Sequence, residues 1–179
     1  MRALIFDTET TDLIANSVLP EKHQPKVIEF FGHIVEDDGT VVRELEFLCN
    51  PGHKLEKITT EITGIKDEQV RDQPPFSHFE GQVRSLIGEA DAVVAHNLSY
   101  DFSMISFELQ RCGTMELVRW PKIRICTVQE TEWFKGYRLN LSALHEHLFG
   151  QPFSGAHRAR VDVEALTRCY LELRKRGDL

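Results

Sequence analysis

The sequence predicts an α/β protein in which helices cover a mixed central sheet of five strands. Three observations carry this. The first run, Ala3-Leu4-Ile5-Phe6, is apolar at both parities, as in a strand buried on both faces. Two longer strand-like runs then flank Asp38-Gly39, a hairpin signal. Beyond residue 75, short apolar runs alternate with amphipathic helical patterns, which adds parallel strands to an antiparallel start.

Strand 1 is expected over about 2–8 and, as the most apolar, at the centre of the sheet. The stretch IANSVLPEKHQPK, with its two prolines, reads as a loop, long enough over 14–25 to act as a lid. VIEFFGHIVE and VVRELEFLC form the hairpin. TTEITGIKDEQV suggests short helical turns. FSHFEGQVRSLIG reads as one amphipathic helix with Phe76, Phe79, Val83, Leu86 and Ile87 on its apolar stripe. AVVAH is a short buried strand. SYDFSMISFELQRCG is a helix, with Ser99 expected as its N-cap and Gly113 as its stop. IRIC is the fifth strand, and Thr127 is placed to cap the helix after it. LSALHEHLFG and RARVDVEALTRCYLELRKRG complete the helices.

The chain has 179 residues, 41% of them hydrophobic, which suits a single domain over 1–179. No apolar run approaches the ~18 residues of a membrane span. The N-terminus reaches Asp7 too soon for a signal peptide, and the four cysteines are scattered without a C-x-x-C pair. A cytoplasmic protein with reduced thiols is expected. The net charge of −7 argues against a protein that coats duplex nucleic acid through a basic face. It is compatible with an enzyme that takes a nucleic-acid end into a metal-charged cleft. The late basic run at 174–176 suits a helix C-terminus facing the dipole.

Asp7 and Glu9 close the first strand two residues apart, so they share a face with Ala3 and Ile5. Two carboxylates at the end of a buried strand resist desolvation unless a cation joins them. Asp162 neighbours Ala165, Leu166 and Cys169 on the last helix, and Asp101 neighbours Met104 and Ile105 on an earlier one. An acid beside an apolar stripe needs a partner, although Asp101 would also suit the helix dipole alone. Four hard oxygen donors, with no His or Cys spaced to join them, select Mg²⁺ or Mn²⁺ over Zn²⁺. Two such ions can clamp both the attacking and the leaving oxygen of a phosphodiester. His157, on a loop before the Asp162 helix, could accept a proton from the attacking water.

In order along the chain, FDTETT, AHNLSYD and HRARVD resemble the three motifs of the DnaQ-like DEDDh 3′–5′ exonucleases. The resemblance covers Arg2 to about Leu173 and implies the ribonuclease H-like fold. It implies that Asp7, Glu9 and Asp162 hold a first metal, that Asp7 bridges to a second with Asp101 near it, and that His157 is the general base. It further implies substrate contacts from Glu9, Thr10 and Leu13, with His96 and Asn97 ordering the site. Two positions depart from the family pattern. Asp12 stands where Gly is frequent, and Thr63 stands where His often precedes Gly-Ile and contacts substrate.

The expected function is therefore hydrolysis at the 3′ ends of nucleic acid, DNA ahead of RNA, releasing 5′-mononucleotides. The alternatives are an exoribonuclease on the same scaffold and a non-catalytic module for nucleic-acid ends or a polymerase. The complete acid set argues against the last. Polymerase association is compatible with this reading, but the chain stops right after its last helix, so no tethering tail is expected. In WFKGYR, 133–138, the aromatics are expected to pack between helices, with base stacking as the alternative.

Overall fold

The computed structural model describes residues 1–14 and 16–179. Among these, five strands form one sheet: β1 (Ala3–Thr10), β2 (Val27–Val35), β3 (Val41–Leu48), β4 (Ala92–Ala95) and β5 (Ile123–Cys126). Their spatial order is β3-β2-β1-β4-β5. The first three strands pair antiparallel, while β4 and β5 run parallel to β1. The helices are α1 (Lys57–Thr63), α2 (Asp67–Val70), α3 (Glu80–Gly88), α4 (Leu98–Arg111), α5 (Thr127–Glu130), α6 (Leu141–Phe149) and α7 (Ala159–Arg176). The chain has the predicted ribonuclease H-like architecture, with β1 central.

The period of two along β1 sorts the core into two layers. Leu4 and Phe6 pack with Phe30, Val93, Val83 of α3 and Met104, Ile105 and Leu109 of α4. Ala3 and Ile5 pack on the other face with Phe31, Val94, Leu144 of α6 and Val163, Leu166 and Tyr170 of α7. Gly32 lies opposite Phe6 in the ladder. A Cβ there would sit 3.0 Å from Phe6 Cβ and from the Phe30 ring, so a side chain at this position would force its neighbours to shift.

The hairpin turn is as expected, with Gly39 at φ +86° and its N–H donating to Glu36 O at 3.0 Å. Several local expectations are corrected. Strand β1 continues past residue 8, because β2 pairs with it as far as Thr10. The stretch 76–88 is not one helix: a 3₁₀ turn over Phe76–His78 leads into α3 at Glu80. Ser99 does not cap α4. The cap is Asn97 at φ +75°, a left-handed conformation that Asn tolerates better than most residues, and Ser99 Oγ donates to Asn97 Oδ1 instead. Thr127 is the first residue of α5, which Cys126 precedes as cap. The loop is pinned to α4 over Glu21–Pro25, where the Arg111 guanidinium donates to the carbonyls of Glu21, Gln24 and Pro25. Residue 15, within the stretch considered as a lid, lies outside the described residues.

Candidate active site

The carboxyl end of β1 holds the site. Strand β4 pairs with β1 only as far as Ile5 and Val94. Beyond that point one edge of β1 has lost its strand neighbour, and the first turn of α4 fills the space. The buried Asp101 carboxylate takes over the hydrogen bond that a neighbouring strand would supply: Oδ1 accepts from Thr8 N at 3.0 Å and from Thr8 Oγ1 at 2.7 Å. Asp101 thus reaches the strand end around an open edge. Asp7 and Glu9 arrive there on the α7 face, the parity that Ile5 defines.

On that face Asp7, His96, Asn140, Leu141, His157 and Asp162 line a cavity of about 280 Å³. Glu9, His157 and Asp162 each offer a ligand atom, all within 4.8 Å of one another. Two hard carboxylates and one imidazole around a shared point fit a divalent cation. This compact set differs from the sequence expectation, since it includes His157 and not Asp7. Asp7 adds a further carboxyl group from the cavity wall.

The electrostatics are those of acids crowded without enough counter-charge. Burial, and then the charges of Asp101, Glu9, Asp162 and Glu29, hold the Asp7 carboxyl well above the usual carboxylate range. Glu9 is pushed up to about 8, by burial first and then by Asp162, Glu29 and Asp101, with Arg158 opposing. Asp101 and Asp162 are raised chiefly by burial, against the hydrogen bonds from Thr8 and His157 respectively.

His157 sits at φ +70°, a conformation that costs a non-glycine residue on the order of 1 kcal/mol or more. Gly155, at φ +84°, lets the chain turn just before it. The His157 N–H donates to Asp162 Oδ2 at 2.9 Å, closing a short ring between the loop and the first turn of α7.

That turn is held by a residue the sequence reading passed over. Glu29 of β2 lies opposite Glu9 in the ladder and is 2% exposed. Its carboxylate accepts from the N–H of Ala159 at 2.9 Å, serving the N-terminus of α7. It also accepts from Arg158 Nη2 at 2.6 Å and Nε at 3.1 Å. Glu29 and Arg158 therefore fix where His157 and Asp162 stand. A signal was available: one acid inside the otherwise apolar run VIEFFGHIV requires a partner.

The remaining predicted residues divide between support and lining. Nε2 of His96 donates to the Leu139 carbonyl at 3.1 Å, which leaves Nδ1 to accept from Thr127 Oγ1 at 2.9 Å. Burial lowers the imidazole to about 4, so it stays neutral and orders the wall. Asn97 supplies the left-handed turn between β4 and α4. Glu9, Thr10, Leu13 and Thr63 line a second cavity of about 270 Å³ with Ile58, Ile62 and Tyr100. In it the Tyr100 hydroxyl donates to Asp12 O at 2.9 Å and meets Thr10 Oγ1, while Thr63 Oγ1 is spent on Thr59 O. Asp12 Oδ1 accepts from the Leu13 N–H.

A prediction follows from the raised acids. A carboxyl whose folded pKa lies above its unfolded value stabilises the fold fully below the unfolded pKa and loses that contribution as pH rises through the folded one. For Glu9 the window runs from about 4.5 to about 8. A divalent cation needs the ionised form, so its binding releases a proton throughout this window. Mg²⁺ or Mn²⁺ affinity, read by calorimetry, should rise roughly tenfold per unit between about pH 6 and about pH 8. An affinity that does not change over that range would mean that Glu9 takes no part in binding.

Comparison with known proteins identifies the family. Residues 4–170 match the RNase T family, described as exonuclease. The chain is 32% identical over 174 residues to the PolC-type DNA polymerase III of Pediococcus pentosaceus, covering 96% of this chain and 11% of that one. It is 28% identical over 178 residues to the 3′-5′ exonuclease DinG of Bacillus subtilis, covering 96% and 17%. This chain thus spans only a small part of those relatives. Among solved structures, Escherichia coli ExoI with single-stranded DNA superposes with a TM-score of 0.77 at 19% identity, over 98% of this chain and 40% of that one. The nuclease domain of 3′hExo, described as a DEDDh family member bound to rAMP, gives 0.74 at 16% identity, over 98% and 92%. The chain belongs to the RNase T exonuclease family, as its three DnaQ-like DEDDh motifs indicated. No helix among the described residues is long and apolar enough to cross a membrane.

Proposed function

We propose that this chain hydrolyses the terminal phosphodiester at the 3′ end of nucleic acid, DNA in preference to RNA, releasing 5′-mononucleotides. The observation that carries the reading is the meeting of Glu9, Asp162 and His157 within one ligand sphere, with Asp7 on the wall of the same cavity. Glu9 and Asp162 would hold Mg²⁺ or Mn²⁺, with Asp7 and Asp101 placed for a second ion. When bound, the ions would supply Lewis-acid stabilisation of the phosphate charge.

The chain's own groups supply the rest. The cavity beside Glu9 has apolar walls from Leu13, Ile58 and Ile62, which suit the face of a terminal base. Tyr100 and Thr10 fix its rim through Asp12 O. The exposed imidazole of His157 stands where it can accept a proton from an attacking water. Glu29 and Arg158 hold that loop while the chemistry proceeds. The preference for DNA draws support from the PolC-type polymerase relatives, and association with a replicative polymerase belongs to the same reading.

The test is a comparison of kcat/KM on DNA and RNA single strands of matched sequence and length. The expected result is faster release from DNA. Faster release from RNA would replace this reading with the exoribonuclease alternative.

A further inference from the structure

The segment 133–138 does not pack as expected from the sequence. Phe134 turns inward, joining the α6 and α7 core and meeting His147 at 4.8 Å between ring centroids. Trp133 is 67% exposed and Tyr137 is 61% exposed. Trp133 rests edge to face on Phe134 at 4.5 Å, so one side of its indole is supported while much of its surface meets solvent. Two large exposed rings within five residues need an explanation that packing does not give.

Their position supplies one. Leu139, two residues past Tyr137, is tied through its carbonyl to His96, and the next residues, Asn140 and Leu141, line the cavity that holds Asp7, His157 and Asp162. Three residues of chain span at most about 11 Å, so the Tyr137 backbone lies within that distance of Asn140 on the cavity wall. The local charge has the opposite sign to that of the whole chain. Residues 119–138 hold five Lys and Arg against two Glu, whereas the full chain holds 21 against 28. Lys135, between the two rings in the chain, is exposed, and among the described residues Arg138 pairs with the exposed Glu132 at 3.4 Å, a pair weak enough to yield to a phosphate.

We infer that Trp133 and Tyr137 form a stacking platform for unpaired nucleotides on the 5′ side of the reacting end, with Lys135 and Arg138 on their phosphates. Stacking on aromatic faces tolerates any base, and flanking cations track the backbone. The occupant is single-stranded nucleic acid, because two exposed rings with the exposed Lys135 and Arg138 between and beside them in the chain offer faces to bases and counter-charge to phosphates. The inference rests on the proposed exonuclease reading and goes beyond it, since it extends the substrate from a terminal nucleotide to a strand. It makes the enzyme prefer longer unpaired ends.

Both rings are exposed, so the variant W133A/Y137A should fold as the wild type does. On single strands of about twelve nucleotides its kcat/KM should fall about 10- to 100-fold or more, given the usual worth of a base stacked on an aromatic ring. Turnover of the p-nitrophenyl ester of thymidine 5′-monophosphate, which spans the terminal site alone, should not change. A readout independent of turnover is tryptophan fluorescence. Oligo(dT) should quench it in the inactive D7N protein, and the quenching should disappear in D7N/W133A, where only Trp120, half-buried against Phe6 and Phe102, remains. Unchanged kcat/KM on the long strand, or undiminished quenching without Trp133, overturns the platform. So would shielding of these rings by a bound protein with strand binding unaffected. Failure of the wild type to cleave either substrate would instead count against the exonuclease reading, and the quenching experiment would still decide the platform.

Discussion

Asp7→Asn should reduce nuclease activity to background and leave the metal-free fold as stable as the wild type or more so. The two halves come from one cause. Burial and the surrounding Asp101, Glu9, Asp162 and Glu29 make an ionised Asp7 costly in the folded state. An amide of the same shape removes that cost. The same substitution removes a charge from the cation site, so thermal stabilisation by Mn²⁺ should shrink. Melting curves with and without Mn²⁺, beside initial rates, test both halves. Unfolding of Asp7→Asn would make Asp7 a structural acid and remove it from the chemistry.

His157→Ala should cost roughly 10²–10⁴-fold in turnover, the usual range for a lost general base. The backbone adds a second comparison. At φ +70° alanine is strained as histidine is, whereas glycine is not. His157→Gly should therefore melt at or above the temperature of His157→Ala while being as slow. Stabilisation by Mn²⁺ separates two roles, because His157 lies within the compact donor set. Stabilisation close to wild type fits a base, while its collapse would make His157 a ligand. Equal turnover of His157→Ala and wild type would remove the residue from the mechanism altogether.

Much of this site could be read from the chain because its parts obey short-range rules. The period of two along Ala3–Glu9 placed Asp7 and Glu9 on the face of Ile5, and the helical period placed Asp162 against the core. What escaped the reading depends on long-range pairing. Glu29 gains its meaning only when β2 sets it opposite Glu9 and α7 brings Arg158 and Ala159 onto it, 129 and 130 residues away along the chain. Asp101 was legible as a site acid, but its hold on Thr8 was not, because the open edge of β1 that it fills exists only once β4 has ended. Asn97 and His157 carry left-handed backbone that sequence marks weakly in residues other than glycine. The exposed rings of 133–138 were misjudged because composition does not show which of three adjacent aromatics faces inward. Phe134 does, and the others do not.

The central claim is that these acids serve metal-dependent removal of nucleotides from a 3′ end. It is met most directly by digesting one single-stranded DNA, labelled in separate samples at its 5′ and its 3′ end, with Mg²⁺, with Mn²⁺ and with excess EDTA. The account predicts a descending ladder from the 5′-labelled strand, immediate release of labelled 5′-mononucleotide from the 3′-labelled one, and neither in EDTA. Undiminished digestion in EDTA, or mononucleotide released first from the 5′ end, would contradict it.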